Sequence, residues 1–456
     1  MVGRTAPPFG RVISLNPGSI PTLTSRSDRL LGRRCKRRGD FPWCERRIDR
    51  LDPLIFFGEI SNFSGLQNLN EAATVSDPYS FHRVGMLITA IESFVVSLPF
   101  DMGGPHPLFA GQPWDHLEIL VVKVETDDNL VGWGEAFGHA AIPATKVALD
   151  TIVAPLLIGR DAGDINALTR AILHGTHLLG RNGPFVYAFS GVEIALWDLL
   201  GKRAGQPLWR LLGGARTSDL PAYASLLHYG DDTLVAKNTA AACAQGYRHI
   251  KLHEVTRDAV RTAQDASGAG SARIMLDVNC AWSPPVAREM ATRLREDGLL
   301  WLEEPVWPPE DVHGLASVRD CGIPIAAGEN VAGLFGFKSL IEAGAIDIAQ
   351  PSVTKIGGVG EMVRVIHLCQ AHGIEVTPHS PYFGPGFVAT IHIAAALVEK
   401  PMIEVLWLDM EANPFDPWVR AIDGRVRIPD GPGLGCDPDP DLLKRYAKGR
   451  TRTERR

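Results

Sequence analysis

The sequence lacks long hydrophobic runs and a cysteine framework. No segment approaches the roughly 18 continuous apolar residues that a membrane-spanning helix needs. The seven cysteines are an odd number, and no two of them form a Cys-x-x-Cys pair, which argues against a disulfide scaffold and against a zinc site. We therefore expect a cytoplasmic protein with no membrane partner.

Acidic residues are scarce only at the start of the chain. Residues 1–50 contain 12 Lys and Arg against 4 Asp and Glu, whereas the other 406 residues contain 34 against 48. The basic stretch RRCKRR has no apolar core behind it, so it is not a secretory signal. We expect residues 1–85 to be a basic leader, disordered or preceding the true start at Met86, and we expect no nucleic-acid partner.

The whole chain is too long for one ordinary core, which predicts two domains. Three β-branched runs bounded by turn residues (LITAIESFVVSLPF, LEILVVKVETDD and NLVGWGEAFG) predict three antiparallel strands. Two helical patterns follow, and the second stops at Gly205, a typical helix end. We therefore expect residues 86–215 to form an α+β domain.

Short strand patterns alternate with amphipathic segments between residues 216 and 405. Eight such strands in alternation with helices predict a parallel sheet that closes into a barrel. The Pro- and Gly-rich residues 406–456 are expected to return to the small domain and to end in a basic tail.

A constant spacing links charged residues of the predicted barrel. Lys251, Asp277, Glu303 and Glu329 follow one another at steps of 26 residues, and Lys355 continues the series. Because such a step is about the length of one strand, loop and helix, these residues should lie at the same height on successive strands. That height is the carboxyl-terminal end, where barrel enzymes hold their sites.

Three of these residues are carboxylates directed at one point. Asp277, Glu303 and Glu329 would repel one another strongly in a barrel mouth that held no cation. All-oxygen ligands are typical of a hard ion, and Mg²⁺ is the simplest choice. The alternative is that they are solvated acids at the rim of the barrel. This alternative is less favourable for three acids in register than for a single acid.

Two sets of nitrogen bases flank the carboxylates. Residues i and i+2 of a strand share a face, so Lys251 and His253 should both face the barrel mouth, and His379 ends strand seven on the far side. A divalent cation and a nearby ammonium suit removal of the proton next to a substrate carboxylate, with His253 or Lys251 as the base.

The motifs KLH, LDVN, LEEP, AGEN, QPSVTKIGG and PHS, preceded by GVEIALWDLLGKRAGQPLWRLLGG, resemble the enolase superfamily, in particular its mandelate racemase branch. The resemblance covers nearly everything between residues 87 and 435. It implies the α/β class, with a (β/α)7β modified TIM barrel and an N-terminal α+β capping domain. It also implies a Mg²⁺-dependent enzyme that removes the α-proton of a carboxylate substrate, and barrels of this family commonly form homo-oligomers.

The resemblance implies roles for residues that hold the metal ion and the substrate. Asp277, Glu303 and Glu329 resemble the family's metal ligands. Asn279 and Lys355 are expected to contact the substrate, and Asn279 is also a candidate for the shell around the metal ion.

The implied catalytic site includes two departures from the family, at residues 253 and 352. Lys251 resembles the electrostatic lysine, His253 stands where a second, basic lysine is usual, and Glu404 resembles the acid that hydrogen-bonds the developing enolate. Ser352 occupies the position where this branch normally has an Asp that orients the strand-seven histidine. Without that partner His379 should be a weaker base, yet it remains suited to donate a proton to a leaving hydroxyl.

The contrast between His253 as a base and His379 as a weaker base favours a lyase that dehydrates a sugar acid. A racemase or epimerase, which needs matched bases on both faces, and a sugar-acid cycloisomerase use the same enolate and remain alternatives. A Schiff-base aldolase using Lys251 would leave the three carboxylates unexplained. A non-catalytic ligand-binding relative would not need the acids and bases together.

Overall fold

The structure, a computed structural model, describes residues 85–455 except 110, 111 and 269. The described residues belong to one compact unit. The predicted basic leader lies, up to residue 84, outside the described residues.

Strands and helices in the described part of the chain alternate regularly after residue 219. The strands are β1 (Ile88–Asp101), β2 (Leu108–Phe109), β3 (Gln112–Pro113), β4 (His116–Thr126), β5 (Val131–Ala136), β6 (Asp219–Ser225), β7 (His249–Leu252), β8 (Arg273–Asp277), β9 (Leu302–Glu303), β10 (Ile325–Ala327), β11 (Ile348–Ala349), β12 (Glu375–Val376), β13 (Ile403–Leu406), β14 (Asp409–Met410), β15 (Arg425–Arg427) and β16 (Ala447–Glu454). The α-helices are α1 (Ile142–Ala148), α2 (Ala154–Leu157), α3 (Ile165–Gly175), α4 (Pro184–Ala204), α5 (Leu208–Leu211), α6 (Asp232–Ala244), α7 (Arg257–Ala266), α8 (Pro284–Leu294), α9 (Val312–Arg319), α10 (Gly333–Glu342), α11 (Val359–Ala371), α12 (Pro385–Leu397) and α13 (Pro440–Tyr446).

The N-terminal sheet contains the three predicted antiparallel strands. Its order is β14-β1-β4-β5, and β16 also pairs with β1. Helix α4 packs on β5 so closely that a Cβ at Gly134 would lie 1.8 Å from the carbonyl oxygen of Gly191, which explains the glycines beside Trp133. The helix ends at Gly205, whose φ of 61° closes it in the left-handed region. This packing holds the capping sheet and its helix together.

The second sheet is the barrel. Its eight parallel strands follow the order β12-β11-β10-β9-β8-β7-β6-β13, and β15 adds to β6 as an antiparallel strand. No strand pairing joins β12 to β13 among the described residues, but Ser380 links them, because its Oγ accepts from Glu404 N (3.2 Å) and donates to Glu404 O (3.2 Å). Eight strands with seven intervening helices confirm the predicted (β/α)7β barrel with its capping domain.

An apolar layer fills the barrel below the charged residues. Tyr223, Met275, Trp301, Ala326 and Ile348 form one buried cluster. Met275 and Trp301 precede Asp277 and Glu303 by two residues, so they share the inward face of their strands. The charged groups therefore stand on a water-excluding floor.

The helical run from His139 to Leu157 is long and apolar enough to cross a membrane by length and composition alone. Ile142, Leu149 and Val153 of this run are buried in the hydrophobic core of the cap, together with residues of α4, whereas Val147 is exposed. This run is therefore a core element of the folded cap.

The residues expected to form a basic tail form strand β16. This strand pairs with β1 from Ala90↔Glu454 to Val96↔Ala447, with one irregularity. Arg450 and Arg452 bind the two carboxylate oxygens of buried Glu92. The positive charge at this end of the chain therefore balances acidic groups of the capping sheet.

Candidate active site

Three carboxylates converge at the carboxyl-terminal end of the barrel. One oxygen from each of Asp277, Glu303 and Glu329 lies within 4.8 Å of the others. Asp277 ends β8 and Glu303 ends β9, and the two are register partners. Glu329 follows Gly328, whose φ of 139° and close contact with Phe337 leave no room for a side chain.

The expected equal height of the residues at steps of 26 is correct for only one pair. Asp277 and Glu303 are register partners, but Lys251 pairs with Met275, two residues below Asp277. Ala326, not Glu329, pairs with Glu303. The residues nevertheless meet, because the lysine side chain is long and the chain turns at Gly328.

Lys251 is held among carboxylates. Its Nζ lies 3.2 Å from Asp277 Oδ2, 2.8 Å from Glu303 Oε1 and 2.8 Å from Glu404 Oε1, and the side chain is 1% exposed. Burial alone would lower the pKa of Lys251, but the charges of Glu303, Glu404 and Asp277 outweigh it and raise this pKa well above its usual value. The ammonium is therefore strongly favoured.

One lysine does not balance the acids. Burial, followed by the charge of Asp277, raises the pKa of Glu303 well above its usual value, whereas at Asp277 burial is outweighed by the charges of Lys251 and His253, which lower the pKa to about 2. Three convergent carboxylates with oxygen donors only are the ligand set of a hard divalent cation. The residues present therefore fit Mg²⁺, with Asp277, Glu303 and Glu329 as its ligands.

His253 lies beside the same carboxylate as Lys251. Its Nδ1 is 2.6 Å from the carbonyl oxygen of Leu226, which makes Nδ1 the donor nitrogen, and Nε2 is 3.3 Å from Asp277 Oδ2. Burial lowers the pKa of His253, but the hydrogen bond and the charge of Asp277 raise it overall. Nε2, the nitrogen that would accept a proton, therefore faces the carboxylate group, whose charge favours the protonated ring.

His379 lies against another carboxylate of the group. Its Nε2 is 2.7 Å from Glu329 Oε2, and its Nδ1 is 3.0 Å from Ser352 Oγ. Tyr382 OH is in close hydrogen-bond contact with the same Ser352 oxygen and lies 3.5 Å from His379 Nδ1. Two neutral hydroxyls thus stand behind this ring where the family normally has a carboxylate.

Glu404 acts only as an acceptor. Its Oε1 accepts from Lys251 and from Ser225 Oγ (2.8 Å), and its Oε2 accepts from Ser380 N (3.1 Å). Burial alone would raise the pKa of Glu404, but Lys251 and other nearby donors lower it overall. This arrangement holds Lys251 in place, and the role of Glu404 toward the enolate stays a prediction.

Asn279 and Lys355, the two residues expected to contact the substrate, both line a cavity at this end of the barrel. Asn279 donates from its backbone N and from Nδ2 to Asp277 Oδ1, at 2.9 Å each, with a φ of 43°. Lys355 Nζ lies 3.4 Å from Asn330 Oδ1 and 4.6 Å from the centre of the Phe137 ring. In this structure Asn279 orients a carboxylate, and Lys355 joins the barrel to the cap.

The cap presents aromatic groups to the site, and the sequence analysis named none of them as a site residue. His139 packs edge-on against Trp114 and Phe137, and Phe137 packs against Tyr382. Burial and the nearby His379 and Lys355 lower the pKa of His139 to about 4. No spacing in the sequence brings residues 114, 137 and 382 together, since they belong to three separate loops.

These cap and barrel groups line one cavity of 870 Å³. Its walls combine Glu329, Glu404, His253, His379 and Lys355 with apolar rings. This is the arrangement of a small-molecule site in which few polar groups fix orientation.

Family models match both parts of the chain. Residues 91–213 match the N-terminal domain of the mandelate racemase / muconate lactonizing enzyme family. Residues 234–442 match the enolase C-terminal domain-like family. The two matches lie on the capping sheet with its helices and on the barrel.

Similar proteins are enzymes that act on sugar acids. D-galactarolactone cycloisomerase of Agrobacterium fabrum is 30% identical over 79% of this chain and 99% of its own. The 3,6-anhydro-alpha-L-galactonate cycloisomerase of Streptomyces coelicolor is 32% identical over 73% and 92%.

A solved structure extends the likeness to dehydratases. L-talarate dehydratase from Polaromonas sp. JS666, complexed with Mg and L-glucarate, has a TM-score of 0.69 and 26% identity, with 81% of this chain and 99% of that chain covered. The expected resemblance and fold are therefore confirmed: the chain belongs to the mandelate racemase / muconate lactonizing enzyme family of the enolase superfamily.

Proposed function

We propose that the protein is a Mg²⁺-dependent lyase that removes the α-proton of a sugar acid and eliminates its β-hydroxyl. One observation carries the proposal: a carboxylate triad suited to a divalent cation lies between two imidazoles that have different partners. When bound to Asp277, Glu303 and Glu329, Mg²⁺ supplies positive charge beside the substrate carboxylate, where the charge of the enolate develops.

The β7 side of the barrel provides the base. Lys251 is held by three carboxylates at 3.2 Å or less, so its contribution is a fixed positive charge near the developing enolate. His253 has Nδ1 fixed as a donor to Leu226 O, which leaves the lone pair of Nε2 to take the α-proton. The α C–H bond breaks, and its electron pair forms the enolate.

The side of the barrel that follows β12 provides the acid. As the acid, His379 carries a proton on both ring nitrogens: Nδ1 donates to the Ser352 hydroxyl oxygen, and Nε2, the nitrogen that faces the triad, holds the proton to be transferred, which leaves a neutral ring. The β C–O bond then breaks, and the departing oxygen takes this proton and leaves as water. The resulting enol rearranges to a 2-keto-3-deoxy acid, so atoms and charge balance.

A cycloisomerase is the second candidate. Two similar proteins are cycloisomerases. If the β-oxygen belongs to a ring of the substrate, the same proton removal and C–O cleavage open that ring. The product is then an isomer, and no water is lost.

We further propose the domain division of the sequence analysis: a leader to residue 85, a cap from 86 to 215, a barrel from 216 to 405, and a C-terminal segment. The pairing of β14 and β16 with β1 supports assigning that segment to the cap. A cytoplasmic homo-oligomer that binds a small carboxylate, with no nucleic-acid or membrane partner, completes the proposal.

The test is incubation with Mg²⁺ and a panel of sugar acids in D₂O, followed by α-proton exchange and 2-keto acid formation. His253→Asn should abolish both exchange and product. His379→Asn should retain exchange and lose product, because only the acid is missing. Racemisation without keto acid, or exchange that survives in His253→Asn, would contradict the assignment.

A cyclic substrate separates the two candidates. Ring opening without water loss identifies a cycloisomerase, whereas activity confined to open-chain acids identifies a dehydratase. Activity that persists after chelation of Mg²⁺ would contradict both.

A further inference from the structure

The cavity has two polar ends with different charge. At the barrel end the lining includes Glu329, Glu404, Lys355 and the imidazoles of His253 and His379, and the proposed function places the reacting carboxylate of the substrate there. At the cap end the lining includes Ser97, Asp115, His116, Glu118 and Lys448. These five residues are here termed the far wall, and no role has been assigned to them above.

The far wall is built by three strands of the capping sheet. Ser97 of β1 and Glu118 of β4 are register partners, so their side chains share one face. Lys448, the second residue of β16, donates from Nζ to Ser97 Oγ at 3.0 Å. The C-terminal strand therefore delivers a lysine into the cavity that the barrel cannot provide.

The charges of the far wall do not favour an anion. Asp115 and His116 form an ion pair at 2.8 Å when the histidine is protonated. Glu118 is exposed to the cavity and makes no hydrogen bond or ion pair with another described residue. The charge of Lys448 offsets that of Glu118, and a protonated His116 offsets Asp115. The net charge of the far wall is therefore zero at most, and it is negative when His116 is neutral.

The usual carboxylate-binding group is also missing from this part of the cavity. No arginine lines the cavity in the described part of the chain, although the bidentate guanidinium is the preferred partner of a carboxylate. A hydroxyl suits the far wall better, because it can donate to Glu118 and accept from Lys448.

From this asymmetry we propose that the substrate is a monocarboxylic sugar acid, an aldonate or its cyclic form, whose hydroxylated end is bound by Ser97, Glu118 and Lys448. The inference rests on the proposed function and specifies its substrate class. A dicarboxylic sugar acid would place its second carboxylate beside Asp115 and Glu118, where like charges repel.

The test compares aldonates with aldarates of the same configuration, which differ only in a terminal CH₂OH or carboxylate. With the full-length Mg²⁺ enzyme, kcat/KM should favour the aldonate by about tenfold or more. Because the preference is electrostatic, it should be larger at low ionic strength. Equal or better turnover of the aldarate overturns the inference.

Variants of the far wall sharpen the comparison. Glu118→Gln removes one negative charge and should reduce the aldonate preference about tenfold, mostly through the KM of the aldarate. Lys448→Met should raise KM for the aldonate with little change in kcat. Glu289→Gln, the same charge change on α8 outside the cavity, is the matched control and should leave the ratio unchanged.

The two proposals can fail separately. If neither acid exchanges its α-proton with D₂O in the presence of Mg²⁺, the proposed function fails. If both acids exchange but the aldarate is preferred, or Glu118→Gln changes both acids equally, only the assignment of substrate class fails.

Discussion

Two of the regions in which the molecule buries carboxylates compensate them in different ways. In the active site, Asp277, Glu303 and Glu404 converge on the ammonium of Lys251. Between the cap and the barrel, Glu135 and Glu193 instead face backbone N–H groups. The first region concentrates charge, whereas the second spreads single charges along an interface.

The interface carboxylates lie at the amino-terminal ends of barrel helices. Glu193 Oε2 accepts from Val359 N at 2.6 Å, and its Oε1 accepts from Gly360 N at 2.9 Å, at the start of α11. Glu135 Oε2 accepts from Gly386 N at 2.9 Å, at the start of α12. Unpaired N–H groups and the helix dipole favour an acceptor there.

The difference concerns which carboxylates must be ionised. A metal ligand or a partner of Lys251 works only as an anion. A carboxyl group at a helix start can remain an acceptor in either protonation state, and burial raises the pKa of both Glu135 and Glu193 to about 7. Removing a site carboxylate should therefore abolish chemistry, whereas removing an interface carboxylate should change stability.

The largest effect is expected for Asp277→Asn. Loss of a charged ligand should lower kcat/KM by at least about a thousandfold and abolish the rise in melting temperature on adding Mg²⁺. The metal-free protein should lose some stability, because burial of Asp277 is outweighed by the charges of Lys251 and His253, which lower its pKa to about 2. Steady-state kinetics and thermal unfolding with and without Mg²⁺ measure this.

Asp347→Asn provides the control, because Asp347 pairs with Arg319 outside the cavity. This variant should retain activity and the Mg²⁺ effect. A Mg²⁺-dependent melting shift that survives in Asp277→Asn would show that the cation binds elsewhere.

Lys251→Met should cost the metal-free protein more stability than Asp277→Asn, because Lys251 is the partner of three carboxylates. Without the ammonium, kcat should fall by about a thousandfold, and the metal-free protein should lose about 3–5 kcal/mol of unfolding free energy, because buried carboxylates lose their partner. Added Mg²⁺ should restore part of that stability. Urea unfolding with and without Mg²⁺ tests this, with the exposed Lys338→Met as control. Unchanged metal-free stability would contradict the proposed charge balance.

The sequence was sufficient to bring the triad together, because parallel strands of similar length return to the same end of a barrel. It was insufficient for exact height, since Glu329 reaches the group only through the turn at Gly328. The spacing of Lys251, Asp277 and Glu303 predicted their contact correctly, because the long lysine side chain covers a register difference of two residues.

The groups that the sequence did not reveal are partners from distant segments. Tyr382 stands behind Ser352, and Ser225 holds Glu404, yet nothing local marks either contact. Lys448 was assigned to a basic tail because its charge gave no sign that β16 completes the capping sheet. Long-range strand pairing and side-chain packing decide these positions, and neither has a periodic signal.

A smaller effect is expected at the interface, where Glu193→Gln should change how stability depends on pH. The unfolded carboxyl has its ordinary pKa of 4.5, whereas the folded one is raised to about 7. The folded state therefore holds the proton more tightly between these values, and its unfolding free energy falls as pH rises. The loss is on the order of 3 kcal/mol.

The measurement is urea unfolding of wild type and variant at several pH values from 4.5 to 8. Gln cannot titrate, so the stability of the wild type minus that of Glu193→Gln should decrease across this window. The exposed Glu289→Gln should leave the pH dependence unchanged. A difference that is flat or rises with pH would show that buried Glu193 is ionised throughout.

The smallest effect is expected where arginine side chains balance a buried carboxylate at the sheet edge. Glu92 is 1% exposed, but its partners Arg450 and Arg452 are 67% and 40% exposed, so solvent screens the pair. Arg452→Met leaves Arg450 in place and should cost about 1 kcal/mol, reduced further by salt. Urea unfolding at low and high salt measures this, with Arg293→Met on α8 as the exposed control. A loss as large as that of Lys251→Met would mean that the edge pair behaves like the buried site, and the distinction between concentrated and screened charge would not hold.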